Sequence, residues 1–280
     1  MAVFYVDGEF LPAEKAVIPV DDLAVLRGIG VFDLLRTYSG RPMFLKEHVQ
    51  RLIDSARQID LDLPWSHAHI CRTALETLSR NNFDEANIRI IVTGGSSPDF
   101  MTPQGNPRLL VLVTPLPKLP AEWYDKGVKV VTVRAERRMP GAKSLDYLAA
   151  AMALRQSKAQ GAVEAVYVDR HDHALEGTTS NLFAVIDNRL ITPGRGILSG
   201  ITRQVVLDIA GGLMPIEIRD LPLTELRTAQ EVFITGTNKG LMPVVQMDDT
   251  PIGDGRPGRF TLRIMEALQA RFTRSLTLSD

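Results

Sequence analysis

The stretch Met139-Pro140-Gly141-Ala142-Lys143-Ser144-Leu145 decides how this sequence is interpreted. It separates a β-branched segment, residues 128–133, from an apolar stripe of helical spacing that predicts a helix over residues 145–160. Catalytic groups collect at strand-to-helix junctions of α/β proteins, because such a junction opens toward a cleft. A lysine held there and partly removed from water readily loses its proton and attacks a carbonyl. Lys143 is therefore the first candidate catalytic residue, although a lysine considered alone is usually a surface residue.

Glu176 is the candidate acid. It stands in the segment Ala174-Leu175-Glu176-Gly177-Thr178-Thr179-Ser180-Asn181-Leu182-Phe183, in which a polar loop leads into an apolar strand. A carboxylate at this place can bind the protonated nitrogen of a pyridine ring, through a charge-assisted hydrogen bond of roughly 1.5–3 kcal/mol. A solvated turn glutamate explains the segment equally well when the segment is considered alone.

Two loops are candidates for binding a phosphate. Gly200-Ile201-Thr202-Arg203 begins a predicted helix, whose first backbone N–H groups and dipole favour an anion. Thr235-Gly236-Thr237-Asn238 is a second small polar loop, which follows a predicted buried strand. Taken alone, the first loop is better explained by ordinary helix capping. An amine, an acid and two phosphate loops together are what pyridoxal phosphate requires of a protein.

His48 and Arg51 lie three residues apart and therefore on one face of a predicted helix. Arg51 could supply a fixed cation to a phosphate. An exposed helix pair is the alternative. The other histidines show no convincing arrangement of metal ligands, so we predict no metal site; they are His67, His69, His171 and His173.

The composition excludes several classes of protein. The chain has 280 residues, of which 45% are apolar, and its 32 basic and 33 acidic residues nearly cancel. This balance argues against a nucleic-acid partner and against a polybasic membrane surface. The single cysteine, Cys71, excludes an intrachain disulfide framework. No apolar run approaches membrane-spanning length, and the first residues resemble a strand and a turn rather than a signal sequence. We expect a cytoplasmic enzyme.

The segment Pro115-Leu116-Pro117-Lys118-Leu119-Pro120 is the best candidate domain boundary, because its three prolines stiffen the chain. We expect an N-terminal domain over residues 1–115, a linker over 116–122 and a C-terminal domain over 123–280. Hydrophobic periodicity and turn signals place the elements. The predicted strands are 3–6, 9–11, 31–38, 43–44, 87–93, 108–114, 128–133, 165–168, 181–186, 189–192 and 231–235. The predicted helices are 45–59, 67–79, 145–160, 202–210 and 258–272.

These segments resemble the fold-type IV pyridoxal-phosphate enzymes, a family of branched-chain aminotransferases, D-amino acid aminotransferases and aminodeoxychorismate lyase. The resemblance runs from Asp7-Gly8 to the last predicted helix. It implies an α/β (α+β) fold of two domains, a small N-terminal α/β domain and a larger C-terminal mixed β-barrel-like domain with helices. It also implies pyridoxal 5'-phosphate as cofactor, and a homodimer whose active site lies between the domains and is completed by the neighbouring subunit. The most specific motifs are 48–52, Lys143 before its helix, 176–183, 198–203 and 231–237.

The resemblance also assigns roles. Lys143 is expected to form the Schiff base and to move the proton, and Glu176 to bind the pyridine nitrogen. Leu198 is expected to support the ring, and Tyr147 to lie beside a cofactor oxygen. The expected phosphate ligands are Arg51, Ile201, Thr202 and Thr237, of which Ile201 and Thr202 use backbone N–H groups.

An α-amino acid brings a carboxylate, and two arginines are candidates for binding it. Arg27 lies where the family places a loop of the neighbouring subunit, and Arg89 lies in the apolar strand Ile88-Arg89-Ile90. A buried arginine needs a partner, because an unpaired buried charge is expensive. A structural ion pair of Arg89 with Asp33 or another acid is therefore the alternative. Phe32, where a tyrosine is expected from the resemblance, is the third candidate substrate contact.

The sequence departs from the best-known bacterial D-amino acid aminotransferases. Those carry an arginine and a histidine in the loop that here reads Ser96-Ser97-Pro98-Asp99-Phe100-Met101. The segment Leu26-Arg27-Gly28 instead resembles a less typical group of D-amino acid aminotransferases. We therefore expect a transaminase that moves an amino group between an α-amino acid, with D-amino acids favoured, and an α-keto acid. A branched-chain L-amino acid aminotransferase, aminodeoxychorismate lyase and a cofactor-binding protein without turnover are the alternatives.

Overall fold

The structure is a computed structural model that describes residues 2–277, with side chains described as far as residue 274. The described chain forms two compact units. The first contains residues 2–117 and 141–146, and the second contains residues 118–140 and 147–277. The segment that carries Lys143 thus packs with the first unit, whereas the sequence assigns it to the C-terminal domain. The reason is a pair of main-chain hydrogen bonds, from Phe32 N to Lys143 O (2.9 Å) and from Leu145 N to Gly30 O (2.9 Å).

The first unit contains an antiparallel sheet of six strands. The strands are β1 (Val3–Val6), β2 (Glu9–Pro12), β3 (Gly30–Tyr38), β4 (Arg41–Pro42), β5 (Ala86–Thr93) and β6 (Arg108–Pro115). Their order across the sheet is β2-β1-β6-β5-β3-β4. The predicted hairpin between β1 and β2 is present. It turns through Asp7 (φ 52°) and Gly8 (φ 108°), as a two-residue turn with positive φ at both positions requires.

Two of the three helices of this unit form its core against the sheet. The helices are α1 (Leu23–Arg27), α2 (Leu45–Gln58) and α3 (His67–Ser79). Val49 and Leu52 of α2 and Ile70 of α3 are fully buried in one cluster with Leu35 and Ile88 of the sheet. The predicted cap of α3 is present, because the Ser66 side chain accepts a hydrogen bond from His69 N.

Two strand predictions in the first unit need correction. Residues 43–44 are not a strand, because Phe44 adopts a left-handed conformation (φ 55°) at the start of α2. The strands β5 and β6 were expected to be buried on both faces. Instead, β6 alternates between buried and half-buried residues, and Arg89 of β5 is exposed. This alternation is typical of a sheet that packs its core on one face.

The second unit contains a closed ring of six strands, which confirms the barrel-like expectation. Its strands are β7 (Val128–Arg134), β8 (Glu164–Val168), β9 (His173–Gly177), β10 (Ser180–Ile186), β14 (Glu231–Gly236) and β15 (Gly240–Met247). Each pairs with the next in the order β7-β8-β9-β10-β14-β15, and β15 pairs in parallel with β7 to close the ring. Four short strands extend it: β11 (Arg189–Thr192), β12 (Ile216–Ile218), β13 (Leu221–Pro222) and β16 (Thr250–Pro251).

Five helices accompany the ring. They are α4 (Glu122–Asp125), α5 (Leu148–Ala159), α6 (Ile201–Ala210), α7 (Leu223–Arg227) and α8 (Arg259–Thr277). The fully buried rings of Phe183 and Phe233 lie opposite each other on β10 and β14 and stack, with centroids 4.9 Å apart. None of the helices in the described chain is long and apolar enough to cross a membrane.

The helix after Lys143 begins three residues later than the sequence predicts. Leu145 belongs to the extended segment held on β3, so α5 starts at Leu148. The predicted apolar stripe is also not the buried face. Leu148 and Met152 are exposed, and α5 packs through Ala150 and Ala153.

Candidate functional site

The segment around Lys143 is fixed by its backbone. Its carbonyl accepts a hydrogen bond from Phe32 N, and its own N–H donates to Ser55 Oγ (3.1 Å) on α2. Ser144 forms an antiparallel bridge with Val31 of β3. Because neighbours on both sides of Lys143 are held, its side chain starts from a defined position rather than from a mobile loop.

The half-buried side chain of Lys143 lies over an aromatic ring. Its Nζ is 4.8 Å from the ring centroid of Phe32, and Arg89 Cζ is 5.1 Å from the same centroid. Both distances are within the range in which a cation is attracted to an aromatic face. The structure therefore brings together three predicted site residues, and Phe32 connects the candidate amine with the candidate carboxylate-binding arginine.

Arg89 is not buried, which removes the reason to expect a structural ion pair. Its side chain is exposed, because residue 89 points away from the core face of β5. Asp33, the partner considered from the sequence, binds other residues instead. Arg27 is also exposed, at the end of α1, and donates to Leu26 O (2.8 Å). Among the described residues we find no bond from Arg27 to Lys143, Phe32 or Arg89.

Arg51 and His48 converge on Asp33, whose carboxylate is fully buried. Arg51 Nε donates to Asp33 Oδ2 (2.8 Å) and Arg51 Nη2 to Asp33 Oδ1 (2.8 Å). His48 Nδ1 lies 2.7 Å from Asp33 Oδ1. Burial favours the protonated acid, but the charges of Arg51 and His48 outweigh it and hold the pKa of Asp33 well below its usual range. The helix pair is therefore buried and preorganised, not exposed.

His48 is neutral at physiological pH. Burial lowers its pKa, Asp33 opposes that shift, and the charges of Arg51 and Lys143 add to it. Because the ionised Asp33 carboxylate only accepts hydrogen bonds, Nδ1 of His48 carries the proton. The influence of Lys143 on His48 also shows that the lysine amine lies close to this network.

In the second unit, Glu176 is buried and its carboxylate is held from both sides. Oε2 accepts from Leu198 N (2.9 Å) and from Asn181 Nδ2 (3.2 Å). Oε1 accepts from Arg137 Nη1 (3.0 Å). Three donors fix the carboxylate and favour its ionised form, as an acid that binds a protonated ring nitrogen requires. Glu176 is therefore not a solvated turn residue.

Arg137, Asn181 and Tyr167 are members of this group that the sequence reasoning missed. Arg137 also donates to Pro140 O (3.1 Å), three residues before Lys143 along the chain. Burial raises the pKa of Tyr167 to about 12, with contributions from the carboxylates of Glu164 and Glu176 and from Tyr147, and with Arg137 opposing. The basic pair Arg137-Arg138 shortly before the lysine is the only sequence signal that could have indicated Arg137.

The residues around α6 fit the phosphate of a pyridoxal cofactor. Gly200 precedes α6 and offers no side chain to cap the helix. A Cβ at Gly200 would lie 1.9 Å from Asn181 Oδ1, so only glycine fits there. Thr235, the cross-strand neighbour of Asn181, has a buried hydroxyl with no hydrogen-bond partner among the described residues. Uncapped N–H groups and an unsatisfied hydroxyl are features that an anion would complete.

The other predicted residues of the second unit are placed as follows. Leu198 is buried beside Glu176, and Tyr147 is half-buried immediately before α5. Ile201 and Thr202 are the first two residues of α6, and Thr237 lies in the turn between β14 and β15. The described residues contain no group of three or more His, Cys, Asp or Glu side chains that could hold a metal ion.

Comparisons with known proteins agree with these two groups of residues. The family model described as amino-transferase class IV matches residues 30–247. A putative branched-chain-amino-acid aminotransferase of Methanocaldococcus jannaschii is 36% identical over 273 residues, which cover 94% of this chain and 93% of the relative. A D-alanine aminotransferase of Staphylococcus epidermidis is 29% identical over 276 residues, covering 96% and 97%.

The fold is likewise similar to a solved structure with a cofactor. The branched-chain amino acid aminotransferase of T.th., solved with pyridoxamine 5'-phosphate, has a TM-score of 0.90 and 28% sequence identity. The alignment covers 97% of this chain and 94% of that chain. At this coverage the similarity includes both units.

Proposed function

This chain belongs to the class IV aminotransferases, which depend on pyridoxal phosphate, and we propose that it exchanges the amino group of an apolar α-amino acid with an α-keto acid. The observation that carries the proposal is the shared ring of Phe32, which has the Lys143 amine and the Arg89 guanidinium on it. A transaminase of α-amino acids needs an amine for the chemistry and a cation for the substrate carboxylate.

Pyridoxal phosphate supplies the carbonyl that takes the amino group and a ring that withdraws electrons from the substrate Cα. Lys143 is proposed to hold the cofactor covalently through Nζ. When the substrate amine takes that place, the freed Nζ removes the proton from the substrate Cα and later returns it. The fixed backbone of the Lys143 segment lets the amine accept and return the proton without a large movement of the main chain.

The remaining residues are proposed to bind and orient. Glu176 would bind the ring nitrogen, because its carboxylate is ionised by Arg137 and Asn181. Leu198 would support the ring, and Tyr147 would contact a ring oxygen. The phosphate would be bound by the guanidinium of Arg51, the backbone N–H groups of Ile201 and Thr202, and the Thr237 hydroxyl.

Branched-chain L-amino acids are the proposed amino donors. The loop that holds a cationic pair in the best-known D-amino acid enzymes is here organised by Asp99. Its carboxylate accepts from Ser97 Oγ (2.6 Å) and from the N–H groups of Met101 and Thr102 (both 2.9 Å). The side chains that this loop exposes are apolar, Phe100 and Met101. The 36% identity with a branched-chain enzyme supports the same choice.

D-Amino acid transamination, which the sequence favours, is the second candidate. It is supported by the 29% identity with D-alanine aminotransferases and by the exposed Arg27 in its Leu-Arg-Gly segment. In that case Arg27 of a neighbouring subunit, rather than Arg89, would bind the substrate carboxylate.

A half-reaction experiment separates the candidates. The holoprotein is mixed with L-leucine, D-leucine or D-alanine without a keto acid, and the visible absorbance of the bound cofactor is followed. We expect L-leucine to remove the absorbance fastest. Faster reaction with D-leucine and D-alanine would replace the first candidate by the second, and no reaction with any amino acid would contradict transamination. Pyruvate release from aminodeoxychorismate without a keto acid would indicate the lyase.

The amine is tested by substitution. Lys143→Ala should abolish steady-state transamination, because the group that moves the proton is lost. Lys126→Ala is the matched control, since Lys126 lies in an exposed pair with Glu122. Unchanged turnover in Lys143→Ala would contradict the assignment.

A further inference from the structure

The most deeply buried acid of the second unit takes no part in the chemistry proposed above. Glu164, at the start of β8, is fully buried. Its carboxylate accepts hydrogen bonds from four side chains. These are Thr178, Thr179 (2.7 Å), Ser180 (3.0 Å) and Lys239 Nζ (2.8 Å). A buried carboxylate with this number of donors is a fixed point in the structure, because moving any donor leaves a charge unsatisfied.

Glu164 is ionised in the folded protein. Burial alone would favour the protonated acid, but the charge and hydrogen bond of Lys239 and the threonine hydroxyls outweigh it and lower the pKa of Glu164. Lys239 is the only cation in this group of side chains, and its own side chain is 16% exposed. The ion pair therefore depends on Lys239.

Lys239 lies in the turn that carries Thr237. This turn, residues 237–239, joins β14 to β15. The turn is held at two points: the Lys239 carbonyl accepts from the Tyr124 hydroxyl (3.0 Å), and Nζ donates to Glu164 and to Thr179. Because the turn is short and held at its backbone and its side chain, the position of Thr237 depends on these contacts.

The same carboxylate holds the turn that follows Glu176. Thr178, Thr179 and Ser180 belong to this turn, which joins β9 to β10. There is no space for side chains where the two turns meet. A Cβ at Gly177 would lie 2.9 Å from Glu164 Cγ, and a Cβ at Gly236 would lie 3.1 Å from Thr179 O. Glu164 thus joins the loop of the candidate phosphate ligand to the loop of the candidate ring-nitrogen ligand.

We propose that Glu164 and Lys239 are positioning residues that fix the Thr237 turn for binding the cofactor phosphate. This inference rests on the proposed function of Thr237 as a phosphate ligand. The physical basis is preorganisation: a turn that is already ordered loses little conformational entropy when it binds the phosphate. Neither residue touches the cofactor in this account.

The test uses the holoenzyme and a signal from the phosphate itself. In Lys239→Met, the dissociation constant for pyridoxal phosphate should rise about tenfold, which corresponds to roughly 1.4 kcal/mol. The ³¹P resonance of the bound cofactor should move toward its position in free pyridoxal phosphate. Lys126→Met, in an exposed ion pair of the same unit, is the control and should change neither quantity. Lys239→Arg, which keeps the charge, should restore most of the affinity.

Three outcomes would overturn the proposal. These are an unchanged ³¹P resonance in Lys239→Met, weaker cofactor binding with only a lower melting temperature, and an unchanged dissociation constant. If Lys239→Met does not fold because Glu164 is left unpaired, the measurements are made on Glu164→Gln/Lys239→Met, which removes both charges. Thr237→Ala separates the two levels of the argument. If it leaves the ³¹P resonance unchanged, the proposed role of Thr237 fails, and if it alone shifts the resonance, only the positioning role fails.

Discussion

At the scale of single residues, the neighbourhood of Phe32 gives a first prediction. Arg89 is exposed, and its guanidinium shares the Phe32 ring with the Lys143 amine. Arg89→Gln should lower kcat/KM for the preferred amino acid by about 10-fold to 100-fold, because a charge-assisted bond to the substrate carboxylate is lost. Steady-state kinetics checks this. Cofactor affinity should stay the same, and Arg72→Gln on α3 is the exposed control. An equal effect of both substitutions would contradict the role of Arg89.

His48 gives a prediction about pH. Its pKa is lowered from 6.5 in the folded protein, chiefly by burial, so on acidification the unfolded chain takes up this proton first. Stability is therefore complete above pH 6.5 and falls as the pH drops below it, by up to about 1.4 kcal/mol per pH unit. Asp33 contributes only at lower pH, because its pKa is lowered from 3.8. His48→Asn keeps a donor for Asp33 but cannot be protonated, so it should weaken this dependence.

The measurement can be restricted to the first unit. The chain has two tryptophans, and Trp65 packs against the core of the first unit whereas Trp123 packs against that of the second. In a Trp123→Phe background, urea unfolding followed by fluorescence reports on the first unit at pH 7.5 and 5.5. An equal loss of stability with and without His48→Asn would contradict the assignment to His48.

Arg137 gives a prediction with an adjacent control. It binds Glu176 and the carbonyl of Pro140, whereas Arg138 is exposed. Arg137→Met should lower the free energy of cofactor binding by about 2 kcal/mol, since a hydrogen bond to a charged group is lost. It should also change the absorbance spectrum of the bound cofactor, because the charge on the carboxylate proposed to bind the ring nitrogen is less well stabilised. Arg138→Met should leave both unchanged, and an equal effect of the two would contradict the prediction.

At the scale of elements, local signals predicted well wherever neighbours in the chain determine the structure. The Asp7-Gly8 turn, the Ser66 cap and the Asp187-Asn188 turn follow from a few adjacent residues, and all are present. The segment after Lys143 could not be predicted in this way. Its partners on β3 are more than 100 residues away in the sequence, and their hydrogen bonds override the helical spacing of the apolar residues.

The same limit applies to the candidate site. Residue types and motif spacing indicated Lys143, Glu176 and the start of α6, because each lies at a recognisable junction of elements. Arg137 and Asp33 were not assigned to the site, because their roles depend on partners brought close by the fold. Arg137 is 39 residues from Glu176, and Asp33 is 18 residues from Arg51. A charged residue acquires such a role from packing, which spacing alone does not contain.

Gly30 provides the test of the segment that holds Lys143. A Cβ at this glycine would lie 2.5 Å from Val92 O and 2.6 Å from Leu145 Cδ1. Gly30→Ala should therefore push the Lys143 segment away from β3 and lower the free energy of unfolding by about 1–3 kcal/mol. Gly40→Ala is the control, since Gly40 also has a positive φ (73°) but open space around it. Transamination should fall more strongly in Gly30→Ala than the loss of stability explains, and equal activity in both variants would contradict this.

At the scale of the whole molecule, the first unit exposes an apolar surface that a single chain leaves in water. We name it the α1 surface; its members are Val17, Val20, Val25, Leu26, Phe100 and Met101. Its two segments are joined, because Leu23 N donates to Gly95 O (2.9 Å) and Ser96 Oγ to Asp21 (3.0 Å). Val20 is 82% exposed and Val17 is 72% exposed. Apolar side chains clustered in this way are typical of an interface between subunits.

We therefore expect a homodimer that buries the α1 surface. Val20→Glu/Val25→Glu should raise the dimer dissociation constant at least about 100-fold, because two charges would have to be buried without partners. Sedimentation velocity checks this, with Leu75→Glu on α3 as the exposed apolar control. A monomeric wild-type protein, or an unchanged dimer in the double variant, would contradict the prediction. Because Arg27 ends the helix that carries Val25 and Leu26, a partner that binds this helix also brings Arg27 to the interface. If D-amino acids are the substrates, the monomeric variant should lose their turnover, whereas binding of the substrate carboxylate by Arg89 requires no residue from a partner.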